Sequence, residues 1–144
     1  MVSGGLDGQM DWLLVDFARD TPGVMRAIVV SADGLRLATS PGTDAALADR
    51  LSAASSGLVS LARGTAHLLE AGPVTQTILE MAGGYLFVTA ISYGATLAVQ
   101  ADRRCDLGIV AYEMTMLAAR VEHALTPAPR GDARADVTGG AKGW

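Results

Sequence analysis

The feature that most constrains the fold of this chain is the segment of residues 81–101, MAGGYLFVTAISYGATLAVQA, which contains no charged side chain. It is about as long as the roughly 20 apolar residues of a membrane-spanning helix. However, Gly83 and Gly84 lie near its start, Ser92-Tyr93-Gly94 interrupts it, and YLFVTAI between them is rich in strand-favouring aromatic and β-branched residues. Two strands and a tight turn are therefore predicted, without membrane insertion. Because both strands are apolar on both faces, we expect them at the centre of a sheet covered by helices on each side.

Length and composition indicate one domain that shares part of its surface with another chain. Of 144 residues, 50% are hydrophobic and 18% charged, and the mean hydropathy of +0.31 is high for a soluble monomer. The formal charge of −4 and the lack of a Lys or Arg run argue against nucleic acid as a partner. The single cysteine, Cys105, excludes an intrachain disulfide, and residues 1–12 lack the pattern of a secretory leader. A cytoplasmic location is therefore expected.

Periodicity and turn signals place the elements that precede this segment. Met10, Leu14 and Phe17 are spaced as one face of a first helix. An apolar run, the turn of residues 31–34 and the sequence LRLA then predict a β-hairpin, since Asp-Gly favours a tight turn.

A long helix is predicted over residues 44–69, with Thr43 as its N-cap. Its apolar stripe is formed by Leu47, Leu51, Ala54, Leu58, Leu61 and Leu68. A second face, residues 52–60 (SAASSGLVS), carries serine, alanine and glycine. This pattern is typical either of a solvated serine face or of close contact with another helix, and the sequence leaves both interpretations open.

The remaining elements complete the order α-β-β-α-β-β-β-α. The sequence PVTQTILEM (residues 73–81) is the most polar strand candidate, which is typical of a sheet edge. The apolar stripe of the last helix, residues 106–125, consists of Leu107, Val110, Met114, Leu117, Val121 and Leu125. The fold class is therefore α/β (α+β), a five-stranded antiparallel sheet with helices on both faces. Residues 1–8 are expected to be a flexible N-terminus, residues 9–126 the domain, and residues 127–144 a disordered tail.

The sequence contains no recognisable catalytic, cofactor-binding or metal site. His67 and His123 stand in no motif with each other or with Cys105, and no His or Cys cluster has metal-ligand spacing. Cys105 follows Arg103-Arg104 near a helix start, which favours a lowered thiol pKa, although a half-buried small residue is the simpler interpretation. We therefore predict that the chain is not an enzyme and has no cofactor.

Three segments carry a resemblance to a known family: DTPGVMRAIVVSADGLRLATS (residues 20–40), GGYLFVTAISYGATLAVQA (residues 83–101) and CDLGIVAYEMTMLAARV (residues 105–121). They are similar to bacterial roadblock/dynein light chain domain proteins of the type encoded in actinobacterial conservon operons, beside a histidine-kinase-like protein and a Ras-like GTPase. The likeness covers about residues 10–126, and the hairpin VVSADGLRLA is its most specific part. The resemblance implies a roadblock/profilin-like fold.

The resemblance also implies a function, that of a non-catalytic homodimer which regulates a Ras-like small GTPase in a bacterial signalling complex. The histidine-kinase-like protein is a further expected partner. The family's sheet order places the third strand, residues 74–81, where two protomers join, and packs the second helices across the two-fold axis. The predicted dimer interface consists of Ser52, Ser55, Ser56, Val59, Thr75, Thr77 and Leu79. The alternative function is a small-molecule sensory or ligand-binding domain.

Overall fold

The structure, a computed structural model, describes residues 6–125 of the chain. Its elements are α1 (Leu6–Asp20), β1 (Val24–Val30), β2 (Arg36–Thr39), α2 (Ala45–Leu69), β3 (Thr77–Met81), β4 (Gly84–Ala90), β5 (Thr96–Asp102) and α3 (Leu107–Leu125). A short 3-10 turn, Ser92–Gly94, joins β4 to β5. The predicted element order is confirmed. Helix α1 begins inside the segment 1–8 that was expected to be flexible, while residues 1–5 and the predicted tail 127–144 lie outside the described residues.

The five strands form one antiparallel sheet in the order β2-β1-β5-β4-β3. The uncharged segment of residues 81–101 provides most of β4 and β5, and β5 is the central strand. The predicted α/β fold class and the central position of this hairpin are therefore confirmed. Within the described part of the chain, no helix is both long enough and apolar enough to cross a membrane.

The helices cover the two faces of the sheet. On one face α1 and α3 pack together, and Leu14 and Met114 are buried against Phe87, Leu97 and Val99 of the central strands. On the other face α2 crosses the sheet and contacts all five strands. The core beneath α2 consists of Ile28, Val30, Val59, Leu86, Val88 and Ala98. Burial on both faces explains why β4 and β5 lack the alternation of an exposed sheet.

Helix α2 has a defined cap at each end. Asp44 is the N-cap, since its carboxylate accepts a hydrogen bond from the Leu47 N–H at 3.1 Å, so the prediction of Thr43 is wrong by one residue. At the C-terminal end Glu70 adopts left-handed backbone angles (φ 52°), and its N–H donates to the carbonyl of His67. The chain then turns back to the sheet edge through Gly72 and Pro73.

Candidate interaction surface

Helix α2 lies on the sheet through its small-residue face. Ala48, Ser52 and Ser55 are completely buried, and Val59 is nearly so. Small side chains allow the helix backbone to approach the strands closely, which larger residues would prevent. The Ser52 hydroxyl donates a hydrogen bond to the carbonyl of Ala48 at 2.7 Å, so this buried hydroxyl has a hydrogen-bond partner within the helix. Neither interpretation of the serine face is therefore correct for these residues, because they contact the protomer's own sheet.

The leucines of α2 form a second, largely uncovered side of the helix. We call Leu47, Leu51, Ala54, Leu58, Leu61 and Leu68 the leucine flank. Leu51 and Leu58 pack partly against the core, whereas Leu61 and Leu68 are 70% and 79% exposed. The predicted stripe is continuous along the helix, but four of its six members, Leu47, Ala54, Leu61 and Leu68, are exposed within the protomer. An exposed row of leucines on a helix is the kind of patch that marks an interaction site.

The length of α2 explains where this exposure is greatest. With 25 residues the helix is about 37 Å long, whereas five strands span roughly 20–24 Å. None of the residues 60–69 is buried. The C-terminal turns of α2 therefore reach the β3 edge of the sheet and project past it.

Strand β3 is the edge strand beside these turns. It pairs only with β4, so its outer backbone groups have no strand partner within residues 6–125. Ile78, Leu79 and Met81 on this strand are exposed. The predicted edge position of this segment is confirmed, although β3 begins at Thr77 rather than at residue 74. An uncovered apolar edge strand is a ready template for pairing with another chain.

A groove separates α2 from β3. One cavity in it, of about 340 Å³, is lined by Val59, Ala62, Arg63, Pro73, Val74, Thr77, Val88 and Ala90. A more open cavity of about 520 Å³ adjoins it and includes Leu58, Leu61 and Ile78 among its lining residues. The guanidinium of Arg63 has no hydrogen bond or ion pair within residues 6–125. The groove, the leucine flank and the β3 edge form one continuous and largely apolar surface.

The predicted interface residues fall into two groups. Ser52, Ser55 and Val59 are buried within the protomer, and Ser56 is half-buried beside the β1–β2 turn. Thr75 and Leu79 are exposed, and Thr77 lines the groove; these three belong to the edge region that the surface includes. The assignment of the whole set to a dimer interface stays a prediction. Sequence reasoning missed Arg63, Val74 and Ile78, for which only their neighbourhood to the edge strand offered a signal.

The one thiol among residues 6–125 is that of Cys105, which is free and half-buried. Burial, together with the carboxylates of Asp102 and Asp106, raises the pKa of the Cys105 thiol, so the expectation of a lowered pKa is wrong and the half-buried interpretation is correct. Arg103 does not act on this thiol but donates a hydrogen bond to the carbonyl of Met81 at 3.1 Å. Among residues 6–125, no group of three or more His, Cys, Asp or Glu side chains could hold a metal ion.

Three helices on two faces of an antiparallel β2-β1-β5-β4-β3 sheet define the class of roadblock/profilin-like α/β domains. The family model of the Roadblock/LC7 domain matches residues 10–101, and the chain belongs to this family. No protein among the curated sequences matches it.

Three solved structures illustrate the relationship. The structure is similar to the Roadblock/LC7 domain from Streptomyces avermitilis, with a TM-score of 0.76 and 35% identity over 80% of this chain and 96% of that chain. MglB from Myxococcus xanthus gives a TM-score of 0.73 and 18% identity over 79% and 92% of the two chains. Profilin IA from Acanthamoeba castellanii gives 0.50 and 17% over 78% and 96%. The last two similarities concern the fold alone.

Proposed function

We propose that this protein is a non-catalytic homodimeric adaptor that binds and regulates a Ras-like small GTPase. The observation that carries the proposal is the continuous surface of the leucine flank and the unpaired β3 edge, together with membership of the Roadblock/LC7 family. A protein without reacting groups can regulate a GTPase by binding one nucleotide state more tightly than the other.

The orientation of α2 supports an isologous two-fold dimer. Asp49 lies near Arg36 at 3.4 Å, and Ser56 lies beside Gly34, so this side of α2 faces the β1–β2 turn. Leu58 is two residues after Ser56, about 200° around the helix, and therefore faces the opposite ends of the strands. The leucine flank thus borders the half of this sheet face that carries Arg26 and Gln100, which are only half-buried within the protomer.

A two-fold axis beside β3 would cover this half of the face. In antiparallel pairing of two β3 strands, the two protomers run in opposite directions, so opposite ends of their strands lie side by side. This arrangement places the partner's α2 alongside the leucine flank. Leu61 and Leu68, together with Thr77 and Leu79 of the edge, then meet the second copy. The dimer interface that we propose therefore retains the predicted strand residues and replaces the buried serines with leucines.

Light scattering on two neighbouring variants tests the dimer. Leu61→Asp places a charge on the leucine flank and is expected to give a monomer at micromolar concentration, because burying an unpaired carboxylate is costly. Ser60→Asp places the same charge on an exposed position outside the flank and is expected to remain dimeric. A monomeric wild type, or a Leu61→Asp variant that dimerises normally, would contradict the arrangement.

Titration against a GTPase tests the regulatory role. The wild-type protein is titrated with a Ras-like small GTPase from the same organism, loaded with GDP or with a non-hydrolysable GTP analogue. We expect clearly different affinities for the two states, since a regulator acts through differential binding. Equal affinities would contradict regulation, and no binding to either form would overturn the function.

The groove also favours a second candidate, a small-molecule sensory domain. Its cavity of about 340 Å³ is within the range of ligand pockets. Its one cationic lining group is Arg63, which has no partner within residues 6–125. Native mass spectrometry of the purified protein tests this candidate. A retained stoichiometric small molecule would support it, whereas a bare chain mass would count against it.

A further inference from the structure

We infer that the GTPase binds at one end of the sheet, on the surface formed by residues 32–35 of the β1–β2 turn and Ser92–Gly94 of the β4–β5 turn. We call this the turn surface. Its assignment rests on the proposed function and adds to it the contact region and the chemistry of the contact.

The two turns pack directly against each other. Val30 of β1 pairs with Thr96 of β5, so both turns leave the sheet at the same end. A Cβ atom placed on Gly94 would lie 2.8 Å from the Cβ of Ala32, closer than two such atoms approach in proteins. Gly94, at φ 78°, is therefore needed for this contact, which fixes the position of one turn relative to the other.

Tyr93 occupies a strained position at the tip of the β4–β5 turn. Its backbone is left-handed (φ 67°, ψ 24°), a conformation that disfavours side chains with a Cβ. The other non-glycine residue with positive φ in residues 6–125 is Glu70, at a helix end where this conformation is common. The Tyr93 side chain is 65% exposed, so packing within the protomer does not account for an aromatic residue here. Strain retained without a packing benefit indicates a functional contact.

Leu35 provides a second apolar group on the neighbouring turn. It is also 65% exposed, and its backbone is held by Ser31, whose N–H donates to the Leu35 carbonyl at 2.8 Å and whose hydroxyl accepts from the Leu35 N–H at 3.2 Å. Tyr93 and Leu35 are thus apolar anchors on rigid backbone. Such preorganisation lowers the entropy cost of binding, and tyrosine is among the residues most enriched at binding hot spots.

The negative charge on the turn surface indicates which charge the partner carries at the contact. Asp33 is exposed and is the one charged residue in these two turns, and the neighbouring Arg36 lies against Asp49 instead. The complementary GTPase surface is therefore an apolar pocket bordered by a basic side chain. The β1–β2 turn of this surface adjoins the side of α2 that carries Ser56, opposite the leucine flank, so this turn lies away from the proposed dimer contact.

Replacement of Tyr93 by glycine separates binding from folding. Tyr93→Gly removes the ring and relieves the left-handed strain, so the unfolding midpoint is expected to be no lower than that of the wild type. The affinity for the Ras-like GTPase is expected to fall on the order of 30-fold, as for a hot-spot residue. Tyr93→Phe retains the ring and is expected to bind normally. Tyr112→Ala, on the outer face of α3 with 62% exposure, is the matched control and is expected to bind normally.

The charge is tested by Asp33→Asn, which keeps a residue suited to the turn. We expect weaker association and a smaller dependence on ionic strength than in the wild type. If the wild type binds the GTPase and Tyr93→Gly binds equally well, the turn surface is wrong while the proposed function stands. If Tyr93→Gly lowers the unfolding midpoint by several degrees, the ring is structural and the inference is also overturned. If the wild type does not bind the GTPase, the proposed function is wrong and the turn-surface inference is wrong with it.

Discussion

At the scale of single residues, Ser55 differs from its neighbour Ser52 in one respect. Both belong to α2 and are completely buried, but the Ser55 hydroxyl has no hydrogen-bond partner within residues 6–125, whereas the Ser52 hydroxyl donates to the carbonyl of Ala48. A buried hydroxyl without a partner keeps its desolvation cost and gains nothing in return. The serine side of α2 is therefore selected for small size, which permits close packing, and not for polarity.

This difference predicts opposite responses to alanine. Ser55→Ala is expected to raise the free energy of unfolding by about 1 kcal/mol, because it removes an unsatisfied hydroxyl and improves helix propensity. Ser52→Ala removes a satisfied hydrogen bond and is expected to change that free energy by less than half as much. Urea denaturation of both variants measures the effect. A lower free energy of unfolding for Ser55→Ala would show that this hydroxyl has a hydrogen-bond partner. A monomeric Ser55→Ala variant in light scattering would place the hydroxyl in the dimer interface.

At the scale of elements, periodicity predicted the helices of residues 6–125, because burial on a regular backbone leaves a repeating pattern in the sequence. The strands were predicted from turn residues and strand-favouring composition instead. Periodicity did not predict which side of α2 covers the sheet. The helix has two sides able to exclude water, one of Ala, Ser and Val and one of Leu, and hydrophobicity alone ranks leucine higher. The close helix-to-sheet distance decides for the small side, and that distance is a property of the assembled layers. The groove was missed for the same reason, since Arg63 and Val74 come together only across a chain reversal.

Helix α3 carries the clearer case, in which one apolar stripe faces one core, except at its first residue, Leu107, which is exposed. Leu117 is almost completely buried against the sheet, while the adjacent Met116 faces outward. We expect Leu117→Ala to lower the free energy of unfolding by about 2–5 kcal/mol, because it leaves a cavity in a close-packed core. Met116→Ala is expected to cost less than about 1 kcal/mol. Chemical denaturation of the two variants compares them directly, and equal midpoints would refute the orientation of α3.

At the scale of the whole molecule, the chain presents different chemistry at separate places. The leucine flank and the β3 edge are broad and apolar, which suits a stable contact between identical chains. The turn surface is small, rigid and bordered by an acidic group, which suits a reversible contact with another protein. The broad apolar surface accounts for the high mean hydropathy of +0.31. The separate turn surface accounts for the exposure of the strained Tyr93. If a second copy covers the leucine flank, as proposed, folding and association depend on each other.

The stability of the protein is therefore expected to depend on its concentration. If the leucine flank is covered only in the dimer, a hundredfold rise in protein concentration adds about 2.7 kcal per mole of dimer to the folded state. For a domain of this size the thermal unfolding midpoint should then rise by a few degrees between low and high micromolar concentration. Scanning calorimetry measures this shift, and Leu61→Asp should abolish it while Ser60→Asp retains it. A wild-type midpoint that is independent of concentration would mean that the leucine flank is covered by something other than a second copy of this chain.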